Sequence, residues 1–550
     1  MHRIALLVNG TEASGLVEEL IDWAEAEPDV EIAALVIHPM VAQGRLAQMR
    51  SEIRRAGFYS MISGIAFMIL QKIERRLFLT SEQRGLLAAR SIAERVPNHV
   101  VIVPRPSKSG FVHRFSDEDV ERVRALGADL LVRCGSGILQ GGILNAARLG
   151  VVSMHHGDNR INRGGPAGFW EVRERQPCTG FIVQRLEAEL DGGEVLCRGS
   201  FLTRSNHAAN HAWLLERSNL YLKKTIRALL DGRATAEPRL LYSNRLYKRP
   251  QLHDLLLYGW RLVRDRIRWR VSIGLGRRSR WAVSYSFADW RSAVLRKART
   301  ISNPARQFLA DPFVVVEGGR HYILLEAFEF DRDKGLIGVY RIEEDRSATP
   351  LGVALDEPFH LSFPFPFRYE GDLYMVPESS ANGDIRLYRC TDFPLGWTLH
   401  KVLMRDVKAV DSMIFEKDGR WWMITNLNPR GRGLNDAEMH VFHAETPFGP
   451  WRSHAANPVV LDAACGRNGG ILIDESGIYR VAQRSGFGVY GKGASIYRIE
   501  ELTPETYREV KVQDVDPSFR RGIEGIHHLH QAGGLLAFDH FRTQGVSRPT

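Results

Sequence analysis

Hydrophobic and polar positions follow two different rhythms along this chain. Up to about residue 235, short apolar runs are separated by stretches with helical spacing. The runs are IALLVNG from Ile4, IAALVIHP from Ile32, HVVIVP from His99, DLLVRCG from Asp129 and GVVSMHH from Gly150; the spacers include GLVEELIDWAEAE from Gly15 and DEDVERVRALG from Asp117. This alternation predicts a parallel α/β sheet with helices on both faces. From about residue 280 the pattern is all-β, and one phrase recurs: a β-run, a Gly- or Asp-rich turn, and a second β-run rich in aromatics. It begins at Asp311, Ser362, Asp411, Asn468 and, worn down, at His527. Self-similarity at a fixed period of roughly 50 residues marks a propeller or solenoid. Five copies, with further strands such as GVYRI, IRLYRC and ASIYRI, predict an all-β five-bladed propeller. The last copy lacks outer strands, so the strand near Trp281 is expected to close its blade, because an open ring leaves unpaired edges. The expected domains are residues 1–235 (α/β), 236–280 (a basic helical connector) and 281–550 (propeller).

Composition narrows the function classes. A chain of 550 residues is too long for one core, and 44% hydrophobic with 25% charged residues is ordinary for a globular protein. The net charge of +10 suits an anionic partner: nucleic acid, lipid head groups or a phosphorylated sugar. The five cysteines form no CxxC and no even framework, and MHRIALLVNG reads as a first strand rather than a signal peptide, so a reducing, cytoplasmic setting is expected. The most apolar stretch, GFYSMISGIAFMIL from Gly57, is too short to span a bilayer. The connector, LHDLLLYGWRLVRDRIRWRVSIGLGRRSRW from Leu252, sets Leu, Tyr and Trp among arginines. That is the form of an interfacial membrane anchor, and equally of a helix packed between domains with its arginines outward. No RNA-binding module is present, and nucleic acid is not an expected partner.

The densest chemistry of the first half follows the fifth apolar run. SMHHGDNRINRGGPAGFWEV starts at Ser153 and TGFIVQRLEAELDGGEVL at Thr179. Over roughly residues 80–205 the chain resembles the folate-dependent formyltransferase family (methionyl-tRNA and amino-sugar type). The resemblance rests on Ser153-x-His155, Arg163-Gly164-Gly165-Pro166, Thr179-Gly180 and Leu190-Asp191-Gly192-Gly193. It implies a Rossmann-like fold, 10-formyltetrahydrofolate as donor and an amine as acceptor. It assigns His155 as base and Asp191 as its support, since a carboxylate fixes the ring tautomer and stabilises the imidazolium. Ser153 stands where the family carries Asn, and losing one oxyanion donor costs about 10²–10³ in rate. Asn159 or His156, in the same loop, are the expected substitutes; Asp158 and Arg163 join them around the acceptor, and the loop at Gly164 would let backbone approach a ligand. Both an active transferase and a retained fold that only binds ligand remain open. No metal is expected at the adjacent histidines. His207 and His211 lie one helical turn apart and read as a cap or solvated face, with Ser205 or Asn206 as N-cap.

The repeats bear their own candidate site. Asp311 and Asp411 open two copies, Glu326 and Glu378 end the second β-runs of the first two, and Arg467 precedes the fourth. The arrangement resembles five-bladed glycoside hydrolases, in which paired carboxylates act on a glycosidic bond. More closely, ADPFVV, FPFPF, VPESS, VDSMIF and TDFPLGW resemble the propeller-like N-terminal domain of glucosamine inositolphosphorylceramide transferase and its bacterial relatives, over most of residues 300–515. The second copy opens on Ser362 rather than Asp, and the fourth offers Arg467 and Asn468 rather than an acid. Asp311 and Asp411 can also be structural caps. The combined expectation is formyl transfer to the amino group of a nucleotide- or lipid-linked amino sugar in polysaccharide biosynthesis, the propeller holding carbohydrate. The alternatives are a glycan-binding scaffold with a degenerate transferase half, and glycosyl transfer or hydrolysis in the propeller.

Overall fold

In the computed structural model, residues 1–39, 45–107, 112–188, 193–239, 241–275, 277–429 and 435–545 are described. They fall into two compact units, Met1–Asp265 and Arg266–Thr550.

The first unit is built on a seven-stranded sheet. Its strands are β1 (His2–Val8), β2 (Val30–Ile37), β3 (His99–Val101), β4 (Leu130–Arg133), β5 (Val151–His155), β6 (Cys178–Arg185) and β7 (Glu194–Leu202), in the order β7-β6-β5-β4-β1-β2-β3. The first five are mutually parallel. Leu6, Leu35 and Val132 face a core shared with α1 (Gly15–Ala26) and α3 (His207–Leu230), while Ala5, Leu7, Val36 and Leu131 face the opposite layer. Burial on both faces is why these strands read as unbroken apolar runs. The expected all-parallel sheet is corrected at its edge: β6 pairs antiparallel with β5, and β7 antiparallel with β6, so that β6 alone runs against the others. The few residues between Arg185 and Glu194 cannot make the crossover a parallel neighbour requires.

Helix α2 (Arg45–Phe78) contains the apolar stretch at Gly57, where φ is 83° and the helix kinks. The connector is helical only from Leu252, in α4 (Leu252–Gly274), and becomes a strand, β8 (Arg277–Phe287), before residue 280. Among the described residues no helix is long and apolar enough to cross a membrane. Asn206 caps α3 as expected, its side chain accepting from the Ala209 N–H at 2.9 Å. The histidines of that turn are not solvated. His207 is 3% exposed and packs on Phe67 and Phe169, and burial, with His211 beside it, pushes its pKa down to about 3.

The second unit holds five antiparallel sheets, each opened by one repeat. Their first and second strands are β9 and β10 (Gln307–Glu317, Arg320–Glu329), β11 and β12 (Ser362–Tyr369, Asp372–Glu378), β13 and β14 (Ala409–Lys417, Arg420–Leu427), β15 and β16 (Asn468–Asp474, Gly477–Gly486), and β17 and β18 (Leu529–Ala532, Leu535–Gly545). The first strands touch in a closed cycle, β9 to β11, β11 to β13, β13 to β15, β15 to β17 and β17 back to β9. The fifth sheet is completed by β8, paired with β18 from Arg277↔Gly545 to Phe287↔Leu535. The strand around Trp281 thus supplies the missing edge.

Candidate functional site

Each first strand of sheets one to four carries a bulge near its start. Two residues face one on the second strand, between Ala310 and Phe313, Ser362 and Phe365, Val410 and Met413, and Asn468 and Ile471. The inserted residues Asp311, Phe363 and Asp411 take left-handed backbone, with φ of 49°, 46° and 52°. A bulge re-aims a side chain, and here it gathers Asp311 and Asp411 with the strand-end acids Glu326 and Glu378. The second copy's counterpart of the two aspartates is therefore Phe363, not Ser362, which matches Ala310.

Asp411 is 2% exposed and binds Arg467 Nε at 2.7 Å; Gln483 Nε2 donates to it at 3.3 Å and Asn468 Nδ2 to its carbonyl at 2.9 Å. Arg467 Nη2 lies 4.0 Å from Glu378, which also accepts from Ser362 Oγ at 3.3 Å. Burial, reinforced by the charge of Asp411 and opposed by Arg467, pushes the Glu378 carboxyl up to about 8. Burial raises Asp311 to about 7, with His527 opposing and Asp539 assisting. Glu326 is raised well above the ordinary carboxyl range by burial and by Asp311 and Glu378. Neighbouring carboxyls in one dry site cannot all ionise, so they share protons as a group.

Two members of this cluster escape sequence reading. His527 Nδ1 meets Asp539 Oδ1 at 2.7 Å, its Nε2 lies 3.5 Å from Asp311, and its ring stacks on Trp281 at 3.9 Å. Asp539 also accepts the backbone N–H groups of Asp311, His527 and His528, at 3.1, 3.2 and 3.1 Å. Its pKa is lowered despite burial, and that of His527 is raised despite burial, each by the other's charge. The signal was register. Asp539 stands two residues after Ala537, the partner of His530, just as Glu326 stands two after Leu324, the partner of Phe313. Asp311, His527 and Asp539 offer ligand atoms within 4.8 Å of one another and could hold a cation, a possibility the sequence did not raise. Towards the other end of the first strands lies an apolar cavity of about 390 Å³, lined by Val314, Phe365, Phe415 and Ile471 among others. None of the acids lines it.

In the first unit, Ser153 and His155 lie at the carboxyl end of β5, where open α/β sheets bind ligands. Ser153 is 1% exposed and accepts from Arg133 Nη1 at 3.1 Å. Arg133 ends β4, and burial lowers its pKa. His155 Nε2 is 3.1 Å from the Asn162 carbonyl; a carbonyl only accepts, so Nε2 carries a proton. His156, pushed down to about 3 by burial and by His211 and His155, is neutral. Ser153, His156 and Arg133 line a cavity of about 220 Å³ with Leu20, Leu215 and Leu222. Asp191 lies outside the described residues.

Other loop residues serve the fold. Asp158 is held by Arg160 at 2.6 Å and Arg198 at 2.5 Å, and the Asn159 side chain accepts from Arg198 at 2.9 Å. Arg163 donates to the Asn159 carbonyl at 2.9 Å and covers the Tyr242 ring at 4.4 Å. At Gly164 the close approach is to the chain itself, because a Cβ there would meet the Tyr247 carbonyl oxygen at 1.8 Å. Gly164→Ala is accordingly expected to cost about 2 kcal/mol or more in urea unfolding of the first unit; an unchanged midpoint would contradict this packing.

Residues 289–528 match the family model described as "Glucosamine inositolphosphorylceramide transferase 1, N-terminal". The protein of that name from Oryza sativa subsp. japonica is 41% identical over 244 residues, which are 44% of this chain and 32% of the relative. The chain thus spans about a third of the length of the curated relatives it matches. Solved structures with likeness include the catalytic domain of Coprinopsis cinerea GH62 alpha-L-arabinofuranosidase (11% identical, 48% of this chain, 97% of that chain, TM-score 0.35). Another is glycinamide ribonucleotide transformylase 1 from Symbiobacterium toebii (17% identical, 44% of this chain, 92% of that chain, TM-score 0.29). The β-rich C-terminal part of the chain is similar to the N-terminal part of the glucosamine inositolphosphorylceramide transferases.

Proposed function

We propose that the chain is a transferase of glycan assembly. In this reading the ring is a five-bladed propeller that holds a sugar over its axial carboxyls and passes it to a glycolipid acceptor. The observation that carries it is one buried cluster in which Asp311, Glu326 and Glu378 gather beside the Asp411–Arg467 pair. Glu378, raised to about 8, keeps its proton at neutral pH, and Asp411 is committed to Arg467. Glu378 can protonate the departing oxygen of a glycosyl donor, while Asp311, raised to about 7, takes the proton of the attacking hydroxyl. The anomeric C–O bond breaks as the acceptor C–O bond forms; one proton leaves with the leaving group and one is gained by Asp311. The similarity to proteins named for glucosamine, inositolphosphorylceramide and transfer supports transfer over hydrolysis. It also supports an amino sugar as the transferred group and a phosphorylated lipid head group as acceptor.

The test is calorimetric titration of the whole chain with amino-sugar nucleotides, followed by mass spectrometry of an inositol-phosphate lipid after incubation with the binders. Sugar binding and a lipid heavier by one sugar are expected. The rate should fall above about pH 8, as Glu378 loses the proton it must donate. Absence of sugar binding overturns the reading.

A second reaction on the same sugar is favoured by the first unit: formyl transfer from 10-formyltetrahydrofolate to the amino nitrogen. The specific observation is Arg133, whose guanidinium bonds Ser153 where the resembled family uses an Asn amide, beside the 220 Å³ cavity. His155 Nδ1 would accept the amine proton, and Arg133 would donate to the developing oxyanion. The cavity admits the reacting groups rather than a whole folate, so the remainder of the donor would lie outside it. Calorimetry with formylated folate tests this separately; no heat of binding removes formyl transfer and leaves the ring proposal intact.

A further inference from the structure

Two helices of this chain wear their apolar stripes outward. On α2, Phe58, Ile62, Ile65, Ile69 and Ile73 follow one another at four, three, four and four residues, the spacing of a single helical face. They are 62%, 37%, 39%, 55% and 51% exposed, with Met68 and Leu77 exposed beside them. The opposite face of α2 holds the buried residues Ser63, Phe67 and Glu74. On α4 the same spacing joins Leu256, Trp260 and Val263, all more than half exposed, while Asp254, Leu255 and Tyr258 are buried behind them. The helices are tied together: the Leu252 N–H donates to Ser63 Oγ at 3.0 Å, and the Tyr258 hydroxyl donates to Glu74. Both stripes therefore belong to a fixed platform rather than to unfolded chain.

The charge around the stripes selects the occupant. Lys72, Arg75 and Arg76 stand exposed beside the first. The acids within these spans are spent: Glu74 and Asp254 are buried, and Asp265 is held by Arg175 and Arg264. A second copy of the chain docked stripe to stripe would set arginine against arginine. An anionic bilayer surface instead supplies phosphate and carboxylate to the arginines and acyl chains to the isoleucines. Trp260 lies under the Arg264 guanidinium at 4.9 Å, and such an amphipathic pair suits the head-group layer.

We infer that α2 and the part of α4 up to Asp265 form a monotopic docking surface that lies flat on an anionic membrane, its isoleucine and Leu/Trp/Val stripes entering the acyl boundary. The inference does not depend on which reaction the chain performs. The whole chain should co-sediment with phosphatidylcholine vesicles containing phosphatidylglycerol, and much less with phosphatidylcholine alone or at high salt. Each cation at the surface strengthens attachment about fivefold, so K72E/R75E/R76E should erase the preference for anionic vesicles. The exposed pair Ile65→Ser/Ile69→Ser should lower partitioning roughly tenfold or more with the melting temperature unchanged, which separates docking from misfolding. Failure of the wild type to bind anionic vesicles, or equal binding by the isoleucine variant, would overturn the inference. So would sedimentation velocity showing a dimer that the same variant dissociates.

Discussion

Glu378→Gln is expected to lower sugar transfer by about 10²–10⁴, the range a general acid contributes, while the melting temperature stays close to wild type. The two halves of this expectation have one cause. With the carboxyl raised to about 8, the native group is already neutral at pH 7, so Gln replaces a neutral side chain of the same shape. Gln can still accept from Ser362, as the carboxyl does. What it lacks is a proton acidic enough to follow the leaving oxygen. Asp411→Asn makes the useful contrast. It removes the carboxylate that Arg467 holds at 2.7 Å and leaves a largely buried guanidinium without it, so activity and stability should fall together, the latter by about 3–5 kcal/mol. Transfer measured by mass spectrometry beside thermal melts distinguishes the two. An E378Q chain within about threefold of wild-type turnover, against the 10² floor for a general acid, would move the acid role elsewhere in the cluster.

The ring was legible because each repeat is written locally. A strand, a turn such as Glu317–Arg320 or Lys417–Arg420, and a second strand lie within about twenty residues, and hairpin register follows from the turn. The acids Asp311, Glu326, Glu378 and Asp411 were readable for the same reason, being strand starts and strand ends. The bulges were not. A one-residue insertion leaves no trace in an apolar run such as SFPFPF, so nothing in it marks Phe363 as the counterpart of the two aspartates. His527 and Asp539 were lost because the fifth copy is short and borrows its outer strands from Arg277–Phe287, more than two hundred residues earlier. In the first unit the unreadable partners are also distant. Arg133 reaches Ser153 from the neighbouring strand, and Arg198 takes Asp158 from across the antiparallel edge that the apolar pattern could not distinguish from a parallel one. The loop from His156 to Gly164 looked like a ligand site because it is polar and glycine-rich. Much of that polarity is consumed within the fold, and Gly164 is there for Tyr247.

Arg480→Met is expected to destabilise the second unit severely, and Arg480→Met with Glu509→Leu to recover most of the loss. Arg480 reads in GIYRVAQ as an outward-facing strand residue, yet it is 0% exposed. Its Nε and Nη2 engage the Glu509 carboxylate at 2.8 and 2.5 Å, a bidentate pair, and Nη2 also reaches the Cys465 carbonyl at 3.0 Å. The Tyr507 hydroxyl donates to the same carboxylate at 2.6 Å. Such a pair contributes little net stability, because desolvation offsets the attraction, but breaking it strands one buried charge at about 3–5 kcal/mol. For a unit of this size that is a fall in melting temperature on the order of 10 °C. Replacing both charges with apolar groups removes the stranded carboxylate and refills the volume, so the double variant should lie within about 1–2 kcal/mol of wild type. The quantity to measure is the coupling energy of the cycle, from urea unfolding of wild type, both single variants and the double. Strict additivity of the two single losses would show that Arg480 acts through packing alone, and that the ion pair is incidental to how the fourth sheet holds its place in the ring.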